Sequence, residues 1–256
     1  MKIVVFDLDE TLGYFTQLGI LWDCLKDCAS QKEIELSQND FNNLLDQNQE
    51  FLRPDIIKIL SYLKKKKKSK TCNKIMIYTN NTGNRDWCEK IIEYFHFKLN
   101  YNLFDQIIAA FKIDGKIIEL GRTTYDKTYK DLLRCTKIPN NSDICFLDDK
   151  YHPLMMNNQI YYIQLKPYYC DINWDTIINR LQYCNLPDCL SEHNMCMMVA
   201  NEIKSYRYTP KFKEIVDLEM DKDISKDIYK HLVIFFNDRK TKKNKKNTNN
   251  KTSRLF

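Results

Sequence analysis

Short, wholly apolar runs alternate with longer amphipathic ones along this chain. Ile3-Val4-Val5-Phe6 is apolar at every position and made of β-formers, the pattern of a strand buried on both faces. Residues 74–78, 106–111, 144–147 and 160–165 are further strands by the same pattern. Ile20, Leu21, Trp22, Leu25 and Cys28 recur at helical spacing, and Phe41, Leu44 and Leu45 begin a second such stripe. Residues 13–52 therefore read as a small helical insert after the first strand. Arg53-Pro54 opens another helix, with Pro at an early helical position and Ile56, Ile57, Ile59, Leu60 and Leu63 facing inward. Five lysines, 64–68, form its solvated end. Residues 84–97 and 128–135 are helical by pattern, and Asp114-Gly115 between Ile113 and Ile117 predicts a hairpin. Strands that alternate with helices imply an α/β fold, a largely parallel sheet flanked by helices. The expected organisation is a core over residues 1–170, a mainly helical extension over 171–236, and a disordered tail over 237–256.

Charge separates that tail from the body. The chain has 256 residues and a net charge of +6. Residues 239–256 hold eight Lys or Arg and no acid, so the remainder has two more acids than bases. A nearly neutral body is not coated for nucleic acid; only the tail is a candidate for such a contact. No run approaches the roughly 18–20 apolar residues of a membrane span, so no membrane contact is expected. Met1-Lys2 leads straight into the first apolar run, and there are ten cysteines. These features predict an intracellular protein, cytoplasmic or nuclear, with reduced thiols. Lys and Asn are abundant and Gly scarce, a bias that suits an AT-rich genome.

Three of the strands end in polar clusters: Asp7-Leu8-Asp9-Glu10-Thr11, Thr79-Asn80, and Asp148-Asp149. Ligands of open parallel sheets bind at the carboxyl ends of the strands, so these clusters should converge on one site. Crowded carboxylates repel one another and call for a cation, and oxygen ligands suit Mg²⁺. One carboxylate can attack phosphorus. A second, two residues on, can protonate the leaving oxygen and then activate water. A hydroxyl and a lysine can bind the phosphoryl oxygens.

Asp7-Leu8-Asp9-Glu10-Thr11-Leu12 resembles the first motif of the haloacid dehalogenase (HAD) superfamily. In particular it resembles the branch of RNA polymerase C-terminal-domain phosphatases and their NIF-like relatives. Leu52-Arg53-Pro54, Thr79, Tyr129-Lys130-Asp131-Leu132 and Phe146-Leu147-Asp148-Asp149 resemble the later motifs in order. The resemblance covers roughly residues 1–170 and implies a HAD-like Rossmannoid core. It implies Asp7 as nucleophile and Asp9 as general acid/base, with the Asp9 carbonyl on the metal. Thr79, Asn80 and Lys130 would bind the phosphoryl group, with Lys127 as competitor because it also lies near the expected helix start. Asp7 and Asp148 would be further metal ligands, and Asp149, which matches the wider superfamily better than the branch with its frequent Asn there, would help hold metal-bound water. Small proteins of this kind also occur in large DNA viruses, which would place this one in a host cell or a virion.

Other meanings compete at several positions. Asp7 and Asp9 suit a strand-end Asx turn, and Thr79 suits a cap. His152 suits a loop residue, since Asp9 already serves as acid/base. Cys184, Cys189, His193 and Cys196 fit no common zinc pattern and read as ordinary thiols. The leading function is hydrolysis of a phosphomonoester on a phosphorylated protein, with Mg²⁺. The alternatives are a phosphatase for small molecules or nucleic-acid ends, and a non-catalytic module that recruits partners through its basic tail. The protein substrate rests on resemblance alone.

Overall fold

A strand as apolar as Ile3–Phe6 needs cover on both faces, and it finds this in the middle of a sheet. The computed structural model describes residues 1–83, 85–187, 193–238 and 252–255. In it β1 (Lys2–Phe6) lies between β2 (Lys74–Tyr78) and a later strand, β6 (Asp143–Asp148), parallel to both. A third strand, β3 (Gln106–Ile108), flanks β2, and β7 (Ile160–Leu165) and β8 (Thr252–Leu255) extend the other side. The six-stranded parallel sheet has the order β3-β2-β1-β6-β7-β8. The short strands β4 (Lys112–Ile113) and β5 (Lys116–Ile117) form the expected hairpin, turned through Asp114 and Gly115 at positive φ.

Period-two alternation sorts the strand residues into two cores. Val4, Phe6, Ile75, Ile77, Cys145 and Leu147 face one layer. That layer contains α1 (Thr16–Ser30), α2 (Gln38–Gln47), α3 (Ile56–Lys68) and α4 (Arg85–Leu99). Ile3, Val5, Met76, Tyr78, Ile144 and Phe146 face the other, under α5 (Tyr129–Thr136). Among the described residues three helices follow, α6 (Trp174–Leu181), α7 (His193–Ser205) and α8 (Ile215–Asn237), in line with a mainly helical extension. The insert helices are not a separate lobe. α1 packs on α7 and α2 on α4, and Leu18, Trp22, Phe41 and Leu45 belong to the main core. Ser37 opens α2 with a reciprocal capping box to Asp40.

Three expectations need correction. The third strand stops at Ile108 rather than 111. Pro54 precedes the helix instead of entering it, because Asp55 takes a left-handed conformation (φ 56°) and α3 starts at Ile56. The tail is not structureless throughout: Thr252–Leu255 pairs with β7, and Lys166 N–H donates to Leu255 O at 2.6 Å. A strand needs few apolar groups when it satisfies an open backbone edge.

Candidate active site

Parallel pairing places the ends of β1, β2 and β6 side by side. Phe6 stands level with Ile77 and Leu147. Asp7 N–H donates to Leu147 O at 2.8 Å, which carries the ladder one residue further and sets Asp7 beside Asp148. Single carboxylate oxygens of Asp7, Asp148 and Asp149 all lie within 4.8 Å of one another. All three residues are buried.

The loop after β1 is tightly held. Glu10 adopts φ 61°, and its N–H donates to Gly13 O at 2.7 Å. Gly13 is required: a Cβ there would stand 2.6 Å from both Phe51 O and the Phe15 ring. Buried Arg53 clamps the turn, donating through Nε to Thr11 O (2.7 Å) and through Nη2 to Glu10 O (2.6 Å) and Lys166 O (2.9 Å). Thr11 Oγ1 accepts from Asp149 N–H at 3.2 Å and so ties the two acidic segments together.

Lys127 supplies the cation at this centre. Its Nζ donates to Asp7 Oδ1 and, at 2.7 Å, to Asp148 Oδ2. Burial alone would lower its pKa, but Asp7 and Asp148 outweigh burial and raise it, so the ammonium stays charged. Burial pushes Asp7 well above the usual carboxylate range despite Lys127. Burial and then Asp148 push Asp149 up to about 6. Burial works the same way on Asp148, yet Lys127 and His152 together hold it below its ordinary value. His152 Nε2 lies 3.3 Å from Asp148 Oδ2, without hydrogen-bond alignment.

Asp9 points elsewhere. Its Oδ2 accepts from Asn81 Nδ2 at 2.7 Å, and burial raises its pKa. Asn81 N–H donates to Thr79 Oγ1 at 3.0 Å. Asp7, Asp9, Thr79, Asn80, Lys127, Asp148 and Asp149 thus line one cleft of 1210 Å³. The insert and α4 continue its walls through Thr16, Ile20, Asp23, Trp87 and Lys90.

Lys130 does not reach this cleft, and its expected place is corrected. Thr128 caps α5, accepting from Asp131 N–H at 2.9 Å. In that phase Asp131 is wholly buried against Thr123, while Lys130, one residue back around the helix, is exposed. Lys127, just before the cap, projects inward instead. Reading along the sequence also missed Asn81 and Arg122. Buried Arg122 donates from Nη1 to Thr79 O (3.1 Å) and Ala109 O (2.9 Å), and from Nη2 to Tyr125 O (2.9 Å). It ties the end of β2 to the segment that carries Lys127. No motif marks it; only the neighbouring carbonyls reveal its part.

The donor set fits a small hard cation. Asp149 Oδ2 is buried without a hydrogen-bond partner, and of the three clustered carboxylates the Lys127 ammonium bonds only Asp7 and Asp148. Among the described residues this is the one group of three or more acids, His or Cys able to hold a metal. Of the weighed zinc cluster, Cys184 is a buried thiol, its pKa pushed up to about 12 by burial; Cys189 and the His193 side chain lie outside what the structure describes. No described helix is long and apolar enough to cross a membrane.

A parallel sheet with an acid-rich turn after its first strand and an acidic pair after a neighbouring one is the arrangement of a HAD-like phosphatase. The family described as Acid Phosphatase matches residues 1–170, and the chain belongs to that family. No curated protein and no solved structure matches the chain.

Proposed function

We propose that the protein is a Mg²⁺-dependent phosphomonoester hydrolase whose substrate is a phosphoseryl or phosphothreonyl protein. The observation that carries the reaction is the buried Asp7–Asp148–Asp149 cluster around Lys127, with Asp9 held apart by Asn81. Asp7, Asp148 and Asp149 would hold Mg²⁺, together with the Asp9 carbonyl. When bound, the ion would offset repulsion between carboxylate and phosphate and stabilise transition-state charge.

The chain's own residues do the rest. The Asp7 carboxylate attacks phosphorus, forming an acyl-phosphate bond as the ester P–O bond breaks. The leaving oxygen takes its proton from Asp9, whose raised pKa favours the protonated form that this step needs. Asp9, now a carboxylate, removes a proton from the water that attacks the acyl phosphate; inorganic phosphate leaves and Asp7 is restored. Lys127 and Thr79 stabilise the phosphoryl oxygens. Asp7→Asn should abolish turnover of p-nitrophenyl phosphate in Mg²⁺ without unfolding the protein. A variant with wild-type rates would remove Asp7 from the nucleophile's role.

A second reading, a small phosphomonoester as substrate, draws on the position of α1. Its Thr16, Ile20 and Asp23 line the cleft and restrict approach from that side. Phosphopeptides assayed against nucleotides and sugar phosphates separate the two readings. Faster turnover of the small esters would favour the second.

A further inference from the structure

The last strand touches the loop that follows the acidic pair. Arg254 stands opposite Gln164 of β7, and its guanidinium carbon lies 5.7 Å from the centre of the Tyr151 ring. Tyr151 stacks on Tyr162, with centroids 6.0 Å apart and planes at 15°. The Tyr162 hydroxyl donates to Lys150 O at 2.6 Å and accepts from His152 N–H at 2.9 Å. Lys150 N–H donates to Asp148 Oδ1 at 2.8 Å. A continuous set of contacts therefore runs from Arg254 through two stacked rings to the backbone on both sides of Tyr151, and from there to the Asp148 carboxylate.

Tyr151 is 44% exposed, so its stacking on Tyr162 depends on what covers it. Arg254 provides a cation over that ring, and it is held there by main-chain pairing of β8 to β7 rather than by a flexible side chain alone.

We infer that the C-terminal strand is a strap for the 150–152 loop, with Arg254 a positioning residue that acts through Tyr151 and Tyr162 on Asp148. Its effect on turnover rests on the phosphatase reading; its effect on the loop does not. The full chain is compared with R254A, R254K, Y151L and R254A/Y151L.

In p-nitrophenyl phosphate hydrolysis, R254A should lower kcat and raise the half-saturating Mg²⁺ concentration by about two- to fivefold each, the range one exposed cation–π contact supports. KM should stay within about twofold, because the strap does not touch the substrate. R254K should recover most of the loss. R254A/Y151L should be no worse than Y151L, since the two residues act in series. Wild-type kinetics for R254A, or losses that multiply in the double variant, would overturn the strap. Hydrogen exchange reads it without catalysis: the His152 amide should exchange faster in R254A by a similar factor of about two to five, and unchanged exchange would also overturn it. If the wild-type chain hydrolyses no ester while this exchange difference holds, the phosphatase reading fails and the strap stands.

Discussion

Replacing Lys127 by Met tests the centre of the site most sharply. The substitution keeps a long side chain and removes the ammonium that lies between Asp7 Oδ1 and Asp148 Oδ2. Lys127 is 2% exposed, Asp7 6% and Asp148 1%, so water cannot take over the lost interaction. Removing one partner of a buried ion pair costs about 3–5 kcal/mol, because the remaining charge is stranded. Here two carboxylates are stranded. Protonation of Asp7, whose pKa burial already raises, trims the loss toward the lower end. At about 2–4 °C per kcal/mol for a chain of this size, the metal-free melting temperature should fall by roughly 6–20 °C. Lys130→Met is the control: its exposed ammonium should be worth within about 0.5 kcal/mol. Thermal melts in EDTA and urea titrations measure both variants, and p-nitrophenyl phosphate turnover should drop only for K127M. Equal stability of K127M and wild type, or a K130M variant with the larger loss, would refute the reasoning.

Mg²⁺ at 100 times its dissociation constant should stabilise the folded chain by about 2.7 kcal/mol, visible as a rise in melting temperature; D148N/D149N should show no rise. Gly13→Ala should destabilise by about 1–3 kcal/mol, since the new methyl meets Phe51 O, a backbone atom that cannot turn aside. Urea unfolding checks it, and a neutral result would mean the turn after Asp9 is looser than its contacts indicate. Burial lowers the pKa of His96 from 6.5, and its Nε2 accepts from Phe104 N–H at 3.1 Å. The unfolded chain then binds the proton first, so this contribution is present above 6.5 and lost as pH falls through the lower folded value. The stability advantage of wild type over His96→Gln should shrink between pH 7.5 and pH 5. Salt-sensitive binding of nucleic acid that is lost on deleting residues 239–256, together with no activity toward any phosphoester, would favour the recruiting module instead.

The parallel sheet was legible because its central strands are apolar between their ends. Ile3–Phe6 admits no exposed face, and residues 160–165 end where Pro167 forbids continuation. The hairpin was legible from Asp114-Gly115, a pair suited to positive φ. β8 was not, because it carries a weak pattern of its own and forms where β7 offers an unpaired edge. That edge is set by the order of strands, which no local window contains. The entry into α3 was misread for a similar reason. Pro54 fits a first helical turn, but Arg53 is anchored to the carbonyls of Glu10, Thr11 and Lys166, and the chain must turn through Asp55 before a helix can begin.

The acids and the lysine differed in legibility because their positions have different causes. Asp7 follows β1 directly and Asp148 is the last residue of β6, so the carboxyl ends of two neighbouring parallel strands bring them together. Lys127 and Lys130 flank the start of a helix, where each residue turns the side chain by about 100°. Which lysine faces the site depends on the phase of α5, and that phase is set by Asp131 bonding Thr123 beneath the helix. A lysine matched by its neighbours in sequence can therefore be off by about a turn. The demand of the site decides instead: buried carboxylates at Asp7 and Asp148 require a cation between them, and of the two lysines it is Lys127, ahead of the cap, that stands there, while Lys130 is exposed on α5.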